Sequence, residues 1–307
     1  MILSCGEALI DMLPRTTTLG EPAFSPYAGG AVFNTAMALG RLGAPSGFFS
    51  GVSNDMLGEI LADTLTASKV DHSFCARSDR PTTVAFVKLV NGQATYAFYD
   101  EATAGRMLAL TDLPQLGDEI EALFVGGISL VNDPAASTYE ALQAREAPLR
   151  VTMIDPNIRP GFIAGKEAEY RARIERMVAR ADIVKLSDED LHWLEGAGDL
   201  VALARGILAK GPKVVFITEG AAGARAVTAT QDRFVAAQKV TVVDTVGAGD
   251  TFNAGVLAAL HQAGALSKSR VAALSDAELD AALSLGTRAA AVTVSRAGAN
   301  PPWAHEL

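Results

Sequence analysis

The chain has little of several features that mark particular classes of protein. It contains only two cysteines in 307 residues, Cys5 and Cys75, which are too few for a disulfide framework and too isolated for a CxxC redox or zinc pattern. Its longest apolar runs, such as 256–260 and 289–294, fall far short of the roughly 20 residues that span a bilayer. The first apolar run already holds two acidic residues, so no signal peptide is indicated. We expect a cytoplasmic protein with free thiols and no membrane partner.

Positive charge is also scarce. The 26 Lys and Arg residues are outnumbered by 35 Asp and Glu, which gives a net charge of -9. This is the wrong sign for a protein that neutralises phosphate backbones, so we expect no nucleic-acid partner. A nucleotide is not excluded, because a helix N-terminus creates a local positive field. The four histidines lack metal-ligand spacing and indicate no zinc site.

Length and hydrophobic periodicity predict the fold class. At about 150 residues per domain, the length allows two domains or one large α/β unit. Short β-branched runs alternate with amphipathic segments, which is typical of a mostly parallel sheet flanked by helices. No linker interrupts this order, so we predict a single domain over residues 1–307. The clearest predicted strands are Leu123–Gly126, Val151–Ile154, Ile183–Leu186 and Val214–Thr218, and the clearest helices are Ser137–Arg145, Ala168–Ala181 and Leu200–Ala209.

One region departs from the α/β alternation. Two strand-like runs, Thr82–Leu89 and Ala94–Asp100, flank an Asn91-Gly92 pair, which is a strong hairpin signal. With further strand near the N-terminus, the pattern predicts a small β-sheet lid formed by insertions at about 10–28 and 81–103. If both faces of this sheet are apolar, it favours a homodimer in which the lids cover each other; packing on its own domain is the alternative.

The segment that carries the chemistry begins with Val240–Val243, which is predicted to be a buried strand. It leads into a Gly-rich turn and then a helical pattern from Thr251 to His261. Glycines let the backbone approach a ligand, and the amides of the first helical turn face outward, so the turn predicts an anion cradle. Asp250 would lie beside the cradle, where it could accept a proton from a hydroxyl. Phosphoryl transfer needs both features.

The alternatives for this segment are limited. Asp250 could be only a favourable acid at a helix N-terminus. Asp244, at the predicted strand end, and the Gly-x-Gly turn argue for the functional interpretation. The chain has no GxxxxGK[ST] sequence, which excludes a P-loop, and no GxGxxG after its first strand, so it lacks the dinucleotide fingerprint.

The sequence DTVGAGDTFNAG, Asp244 to Gly255, resembles the C-terminal signature of the ribokinase-like (PfkB) carbohydrate kinases. Residues 29–43 resemble the N-terminal signature, so the likeness spans nearly the whole chain. The resemblance implies a three-layer α/β sandwich with a small β-sheet lid, and transfer of the γ-phosphoryl group of ATP to a sugar hydroxyl with Mg²⁺. It makes Asp250 the catalytic base and assigns the anion hole to Gly247, Ala248 and Gly249.

The resemblance also implies which residues contact the sugar. Asp11 lies at the end of a segment similar to the family's first strand, whose acid reaches sugar hydroxyls. Gly29, Gly30 and Asn34 match the sugar-contacting glycines and asparagine. Arg159 closes the sequence DPNIR, which is typical of fructokinases, and could contact the sugar or the phosphate; a surface arginine on a turn is the alternative.

The remaining family positions concern nucleotide and metal. Asp190 replaces the usual glutamate of an Asn-x-x-Glu pattern, so it is expected to act on Mg²⁺ through water. Asp244 is placed to help hold a monovalent cation such as K⁺, which the sequence leaves open. The residues expected near the nucleotide are Lys185, Ser187, Thr218, Gly220, Gly223, Thr287 and Gly298.

We therefore predict an ATP-dependent sugar kinase whose acceptor is a ketose, with fructose favoured because DPNIR and the segment after the hairpin resemble the fructokinase branch. The alternatives are 2-keto-3-deoxygluconate, another sugar or a nucleoside as acceptor. A catalytically silent sugar sensor is the alternative outside enzymes, although a binder needs no base at an anion cradle.

Overall fold

The computed structural model describes residues 1–90 and 93–307; the predicted Asn91-Gly92 turn lies outside these residues. The strands are β1 (Ile2–Cys5), β2 (Leu9–Thr16), β3 (Pro22–Gly29), β4 (Ser46–Phe49), β5 (Gly51–Ser53), β6 (Val70–Asp71), β7 (Ala76–Ser78), β8 (Val84–Val90), β9 (Gln93–Tyr99), β10 (Ala122–Gly126), β11 (Val151–Asp155), β12 (Ile183–Ser187), β13 (Val214–Thr218), β14 (Gly223–Val227) and β15 (Asp232–Ala236). The helices are α1 (Ala31–Arg41), α2 (Met56–Ala67), α3 (Ala135–Glu146), α4 (Pro160–Ile163), α5 (Glu167–Arg180), α6 (Asp188–Glu195), α7 (Leu200–Leu208), α8 (Ala248–Gln262), α9 (Lys268–Val271) and α10 (Asp276–Val294).

The main sheet has nine strands in the order β15-β14-β13-β12-β11-β10-β1-β4-β6. It is parallel from β13 to β6, while β14 pairs antiparallel with β13 and β15 pairs antiparallel with β14. The four clearest predicted strands are β10 to β13. Their carboxyl ends and that of β1 meet at one edge of the sheet, which is where ligands bind in such folds.

Helices cover both faces of this sheet. Because successive side chains of a strand point to opposite faces, Ile2 and Phe124 join one buried cluster while Leu3 and Val125 join another. Helices α1, α8 and α10 pack on the first cluster, and α3 and α5 on the second. Burial of each large apolar side chain contributes about 1.5–3 kcal/mol to folding stability, and the elements that carry the site pack on these two clusters. None of the described helices is long and apolar enough to cross a membrane.

A second sheet has the strand order β3-β2-β8-β9. Its central strand β2 pairs antiparallel with β3 and parallel with β8, and β8 pairs antiparallel with β9. Three of its aromatic side chains are 45–61% exposed, namely Phe24, Tyr27 and Tyr99. The rings of Phe24 and Tyr99 both meet Phe86 edge to face. That this sheet acts as a lid stays a prediction.

The predicted buried strand Val240–Val243 is wrong. This segment is irregular, and Val242 and Val243 are each 60% exposed. The main sheet ends at β15, and the segment pairs with no strand among the described residues. Instead, the amide of Val243 donates to the carbonyl of Val294 at the end of α10 (2.8 Å). Helix α8 also begins three residues earlier than predicted, which places Asp250 inside its first turn.

Candidate active site

The start of α8 is left open. Gly247 precedes it in the left-handed conformation (φ 79°), and a Cβ added there would lie 2.8 Å from the Cβ of Ala299. No side chain of the described residues caps this helix. The first amides of a helix have no carbonyl one turn back, so those of Gly249 and Asp250 need an acceptor from elsewhere. The loop and the helix dipole together favour an anion at this point.

Asp250 lies in the first turn of α8 with only 7% of its surface exposed. Its Oδ2 accepts a hydrogen bond from Asn34 Nδ2 (2.9 Å), and its main-chain carbonyl accepts one from the Thr35 hydroxyl (3.2 Å). Burial raises the pKa of Asp250 to about 7, and the nearby carboxylate of Asp155 adds to the shift, while Asn34 and Lys185 oppose it. A carboxylate with such a pKa accepts protons readily at neutral pH.

A buried ion pair lies behind the start of α8. Lys185 Nζ donates to Asp155 Oδ2 (3.0 Å), and the same oxygen accepts a bond from Asn253 Nδ2 (2.7 Å). A Cβ added at Gly249 would lie 3.1 Å from Lys185 Nζ. The ammonium group of Lys185 is therefore fixed against the loop, where it adds positive charge to the open helix start.

Asp190 and Ser187 form the N-terminal cap of α6. Ser187 Oγ accepts from the amide of Asp190 (3.0 Å), while the Asp190 carboxylate accepts from the amides of Ser187 (3.4 Å) and Ile158 (3.1 Å). Burial and the charge of Asp155 raise the pKa of Asp190. Ser187 ends β12, the strand that also carries Lys185, and Asp190 lies in the helix that follows it. The side chains of both residues already accept hydrogen bonds from main-chain amides.

Four of the residues predicted to contact the sugar, Asp11, Gly29, Gly30 and Asn34, lie on neighbouring elements that lead to Asp250. Asp11, on β2, lies against Gly29, where an added Cβ would be 2.5 Å from Asp11 Oδ2. Gly30 follows with a positive φ of 111° and leads into α1, which carries Asn34. Burial raises the pKa of Asp11 to about 6. Asn34 Oδ1 is buried with no partner among the described residues, so it has an acceptor to offer a ligand hydroxyl.

Arg159 differs from these four residues. It is exposed, and its guanidinium group donates to the neighbouring carbonyl of Ile158 (3.2 Å). Two carboxylates hold the main chain of the DPNIR segment instead. Asp155 accepts from the amide of Asn157 (3.1 Å), and Asp190 of α6 accepts from the amide of Ile158 (3.1 Å). The structure therefore leaves the Arg159 side chain in solvent.

The predicted nucleotide residues other than Lys185 and Ser187 fall into two groups. Thr218 ends β13, Gly220 lies on the following turn and Gly223 begins β14, with positive φ values of 54° and 142° for the two glycines. A side chain on Gly223 would collide with the main chain of Val235, so glycine is needed there. This first group forms a backbone turn at the same sheet edge as Lys185.

In the second group, the polar groups already have partners within the protein. The Thr287 hydroxyl is buried in α10 and donates to the carbonyl of Leu283 (2.8 Å). The amide of Gly298 donates to Asp244 Oδ2 (2.9 Å), while Asp244 Oδ1 accepts from the amide of Val246 (3.0 Å). Asp244 thus ties the loop before α8 to the chain that follows α10.

Three further polar residues lie at this site without a role predicted from the sequence: Glu7, Asp155 and Asn253. Asp155 ends a buried strand within DPNIR, and Asn253 follows Asp250 by one helical turn, so strand-end position and helical spacing could have identified both. Glu7 is bound to residues far along the chain, with its carboxylate accepting from the amides of Ala31 (2.9 Å) and Ser129 (3.2 Å). No local pattern indicates those contacts.

An open helix start, a buried carboxylate of raised pKa beside it and a fixed ammonium group behind it define a phosphoryl-transfer site at the edge of an α/β sheet. The chain belongs to the pfkB family of carbohydrate kinases, whose sequence pattern it matches over residues 1–306. The predictions of this family, of a ribokinase-like fold and of an enzyme that phosphorylates a carbohydrate are confirmed.

Comparison with individual proteins points to one branch of the family. The chain is 61% identical to a fructokinase of Rhizobium leguminosarum bv. trifolii over 279 residues, which cover 91% of this chain and 85% of the relative. Its fold is similar to that of a Xylella fastidiosa fructokinase solved with bound ATP (TM-score 0.86, 27% identity, 97% of this chain and 93% of the other). It is also similar to a double mutant of the Vibrio cholerae O395 fructokinase solved with fructose, ADP and potassium ion (TM-score 0.84, 27% identity, with the same coverage of 97% and 93%).

Proposed function

We propose that this carbohydrate kinase is an ATP-dependent fructokinase, with Asp250 as the base that acts on the sugar hydroxyl. The observation that carries the proposal is the buried Asp250 carboxylate at the open start of α8. The 61% identity to a fructokinase supports fructose as the acceptor.

Asp250 takes the proton of the attacking hydroxyl as that oxygen bonds to the γ-phosphorus of ATP and the bond to the leaving ADP oxygen breaks. Its pKa of about 7 leaves it able to accept this proton at neutral pH. Asp11 and Asn34 orient the sugar through its hydroxyls, and Gly29 and Gly30 let the backbone approach it. Arg159 reaches the sugar or the phosphate when substrate is bound, which requires its side chain to turn in from solvent.

The phosphate side of the reaction uses backbone amides and fixed charge. The amides of Gly247, Ala248 and Gly249, together with that of Asp250, stabilise the charge on the transferring group, where preorganised donors are worth about 3–4 kcal/mol each. The Ala248 amide, which donates to the carbonyl of Thr245 (3.3 Å), has to turn towards the phosphate to take part. Lys185 adds its charge from behind Gly249. The turn with Thr218, Gly220 and Gly223 borders the phosphates, and Ser187 holds α6 beside them. Thr287 and Gly298 shape the base pocket by packing.

The donor groups present suit a magnesium ion held largely by phosphate and water. The described residues contain no group of three or more His, Cys, Asp or Glu side chains able to enclose a metal. Mg²⁺ usually keeps several waters and takes one or two carboxylates, so Asp190 would act through a water. The ion would neutralise phosphate charge. K⁺ would lie beside the α8 loop near Asp244, and a higher rate in K⁺ than in Na⁺ would support that assignment.

We also infer a homodimer in the cytoplasm. The exposed Phe24 and Tyr99 lie on one face of the small sheet, opposite to the face that carries Asp11 and Tyr27, and a second copy of this sheet could cover them. Both cysteines are free thiols, which suits a reducing compartment. Sedimentation of the protein, with and without Tyr99→Asp, tests the dimer: a monomer in both samples would exclude it.

An ADP-release assay with a panel of acceptors tests the function. Fructose should give the highest kcat/KM, ahead of 2-keto-3-deoxygluconate, ribose and adenosine. A higher value for one of the others would reassign the acceptor. Sugar binding without ADP release from any acceptor would instead identify a sugar sensor.

A further inference from the structure

Glu7 lies at the junction between the two sheets. It follows β1 of the main sheet and precedes β2 of the small sheet. One carboxylate oxygen accepts from the amide of Ala31 (2.9 Å) and the other from the amide of Ser129 (3.2 Å). Glycines make room for it: a side chain on Gly127 would collide with the Glu7 carboxylate, and a Cβ on Gly30 would lie 2.8 Å from its main-chain oxygen.

Helix α1 depends on Glu7 for its N-terminal cap. The residue at the cap position is Gly30, which has no side chain, and the first turn contains no acidic residue. Ala31 is the first residue of α1, so the Glu7 carboxylate supplies from 24 residues away the acceptor and negative charge that a helix start favours.

The helix capped in this way holds the proposed base. Asn34, on the first turn of α1, donates to the Asp250 carboxylate, and Thr35 donates to its main-chain carbonyl. A loosened first turn of α1 would therefore release both hydrogen bonds on Asp250.

We propose that Glu7 is a positioning residue for phosphoryl transfer: it fixes the first turn of α1, so that Asn34 and Thr35 hold Asp250 at the open start of α8. The inference rests on the proposed function. Glu7 acts through the first turn of α1, and its carboxylate makes its hydrogen bonds to the main chain of Ala31 and Ser129.

The first experiment compares Glu7→Ala and Glu7→Gln in the ADP-release assay with fructose. Glu7→Ala should lower kcat by about 10- to 100-fold, because small displacements of a catalytic group cost that much, with KM for ATP within about threefold. The kcat of Glu7→Gln should fall less than that of Glu7→Ala, since the amide oxygen of the glutamine can still accept a hydrogen bond from the amide of Ala31.

Asp199→Ala provides a matched control. Asp199 caps α7 through the amide of Ala202 (2.9 Å) and takes no part in the site. This variant should lose thermal stability and keep the wild-type kcat. Unchanged kcat in folded Glu7→Ala, or an equal loss in Asp199→Ala, would overturn the proposal.

A double-mutant cycle tests the route through Asn34. If Glu7 acts by placing Asn34, Glu7→Ala should lower kcat much less in an Asn34→Ala background than in the wild type. Fully multiplicative losses would overturn the proposal. If Glu7→Ala does not fold, Glu7→Gln takes its place in the cycle with the same criteria. The proposed function fails separately, when the wild-type protein releases no ADP with any acceptor.

Discussion

Helices α6 and α8 both place an aspartate at the third position of the first turn, and both carboxylates are buried, with 6% of Asp190 and 7% of Asp250 exposed. In α6, Ser187 caps the helix and Asp190 bonds back to the main chain. In α8, the cap residue is Gly247, and Asp250 accepts a bond from Asn34 of another helix.

The difference follows from the cap residue. A serine at the cap satisfies a helix amide within the chain, so the aspartate completes a structural capping box. A glycine leaves the amides open for a ligand, and the aspartate is free to face that ligand. In the proposed mechanism, the same residue at the same helical position caps the helix in α6, where it reaches Mg²⁺ only through water, and is the reactive base in α8.

The largest effect should come from Asp250→Asn. An amide cannot accept the hydroxyl proton, so kcat should fall by about 10² to 10⁴ while ATP binding, measured by calorimetry, stays close to wild type. Turnover like that of the wild type would remove Asp250 from its role.

A stability measurement serves as the control for this variant. The folded-state pKa of Asp250, about 7, exceeds the ordinary value of 3.8. Ionised Asp250 therefore costs folding free energy, a cost that grows as the pH rises from about 4 to 7 and persists above it. The neutral Asn avoids this cost, so the Tm of Asp250→Asn at pH 8 should equal or exceed that of the wild type.

The second effect is on the pH dependence of the wild-type enzyme. Because protonated Asp250 cannot act as a base, kcat/KM for fructose should fall about tenfold per pH unit below pH 7. Asp11, with a pKa of about 6, should steepen the fall at lower pH, and Asp11→Asn should remove that second step. A flat profile from pH 8 to 5 would contradict the account.

Gly249→Ala should have a smaller effect on the open helix start. Its Cβ would lie 3.1 Å from Lys185 Nζ and would press the ammonium group away from the loop. We expect kcat/KM for ATP to fall about tenfold, less than the roughly 10²- to 10³-fold that loss of a preorganised donor costs, because the amide of residue 249 is kept and only the ammonium group moves. Gly161→Ala, where a Cβ meets nothing within 4 Å, is the matched control and should be neutral. Equal activity of the two variants would contradict the role of this loop.

Asp190→Asn should affect catalysis least. Its amide nitrogen would face a main-chain donor, so the free energy of unfolding should decrease by about 1–3 kcal/mol. At saturating Mg²⁺, kcat should stay within about tenfold of wild type, with a higher Mg²⁺ concentration needed for half-maximal rate. A kcat loss as large as that of Asp250→Asn would remove the distinction between α6 and α8.

Features that depend on residues close together in the chain can be predicted from the sequence. The strands β10 to β13 and the Gly-rich turn before α8 follow from local periodicity and from glycine chemistry. The bond between Asn34 and Asp250 spans 216 residues, and the cap that Glu7 gives to α1 depends equally on the fold. The segment Val240–Val243 has the composition of a strand but pairs with no strand among the described residues, and its Val243 amide bonds instead to the end of α10. Pairing of this kind is set by tertiary structure and not by local propensity.

The pKa of the Asp250 carboxyl group tests the central claim most directly. Infrared difference spectra of protein labelled with ¹³C-aspartate, recorded across pH 4 to 9 for the wild type and Asp250→Asn, would isolate the titration of this group. We expect the wild type to show a carboxyl band that titrates near pH 7 and that is absent from Asp250→Asn. A titration near pH 4 would show that the carboxylate is solvated like an ordinary surface acid, and would contradict its role as the buried base of this kinase.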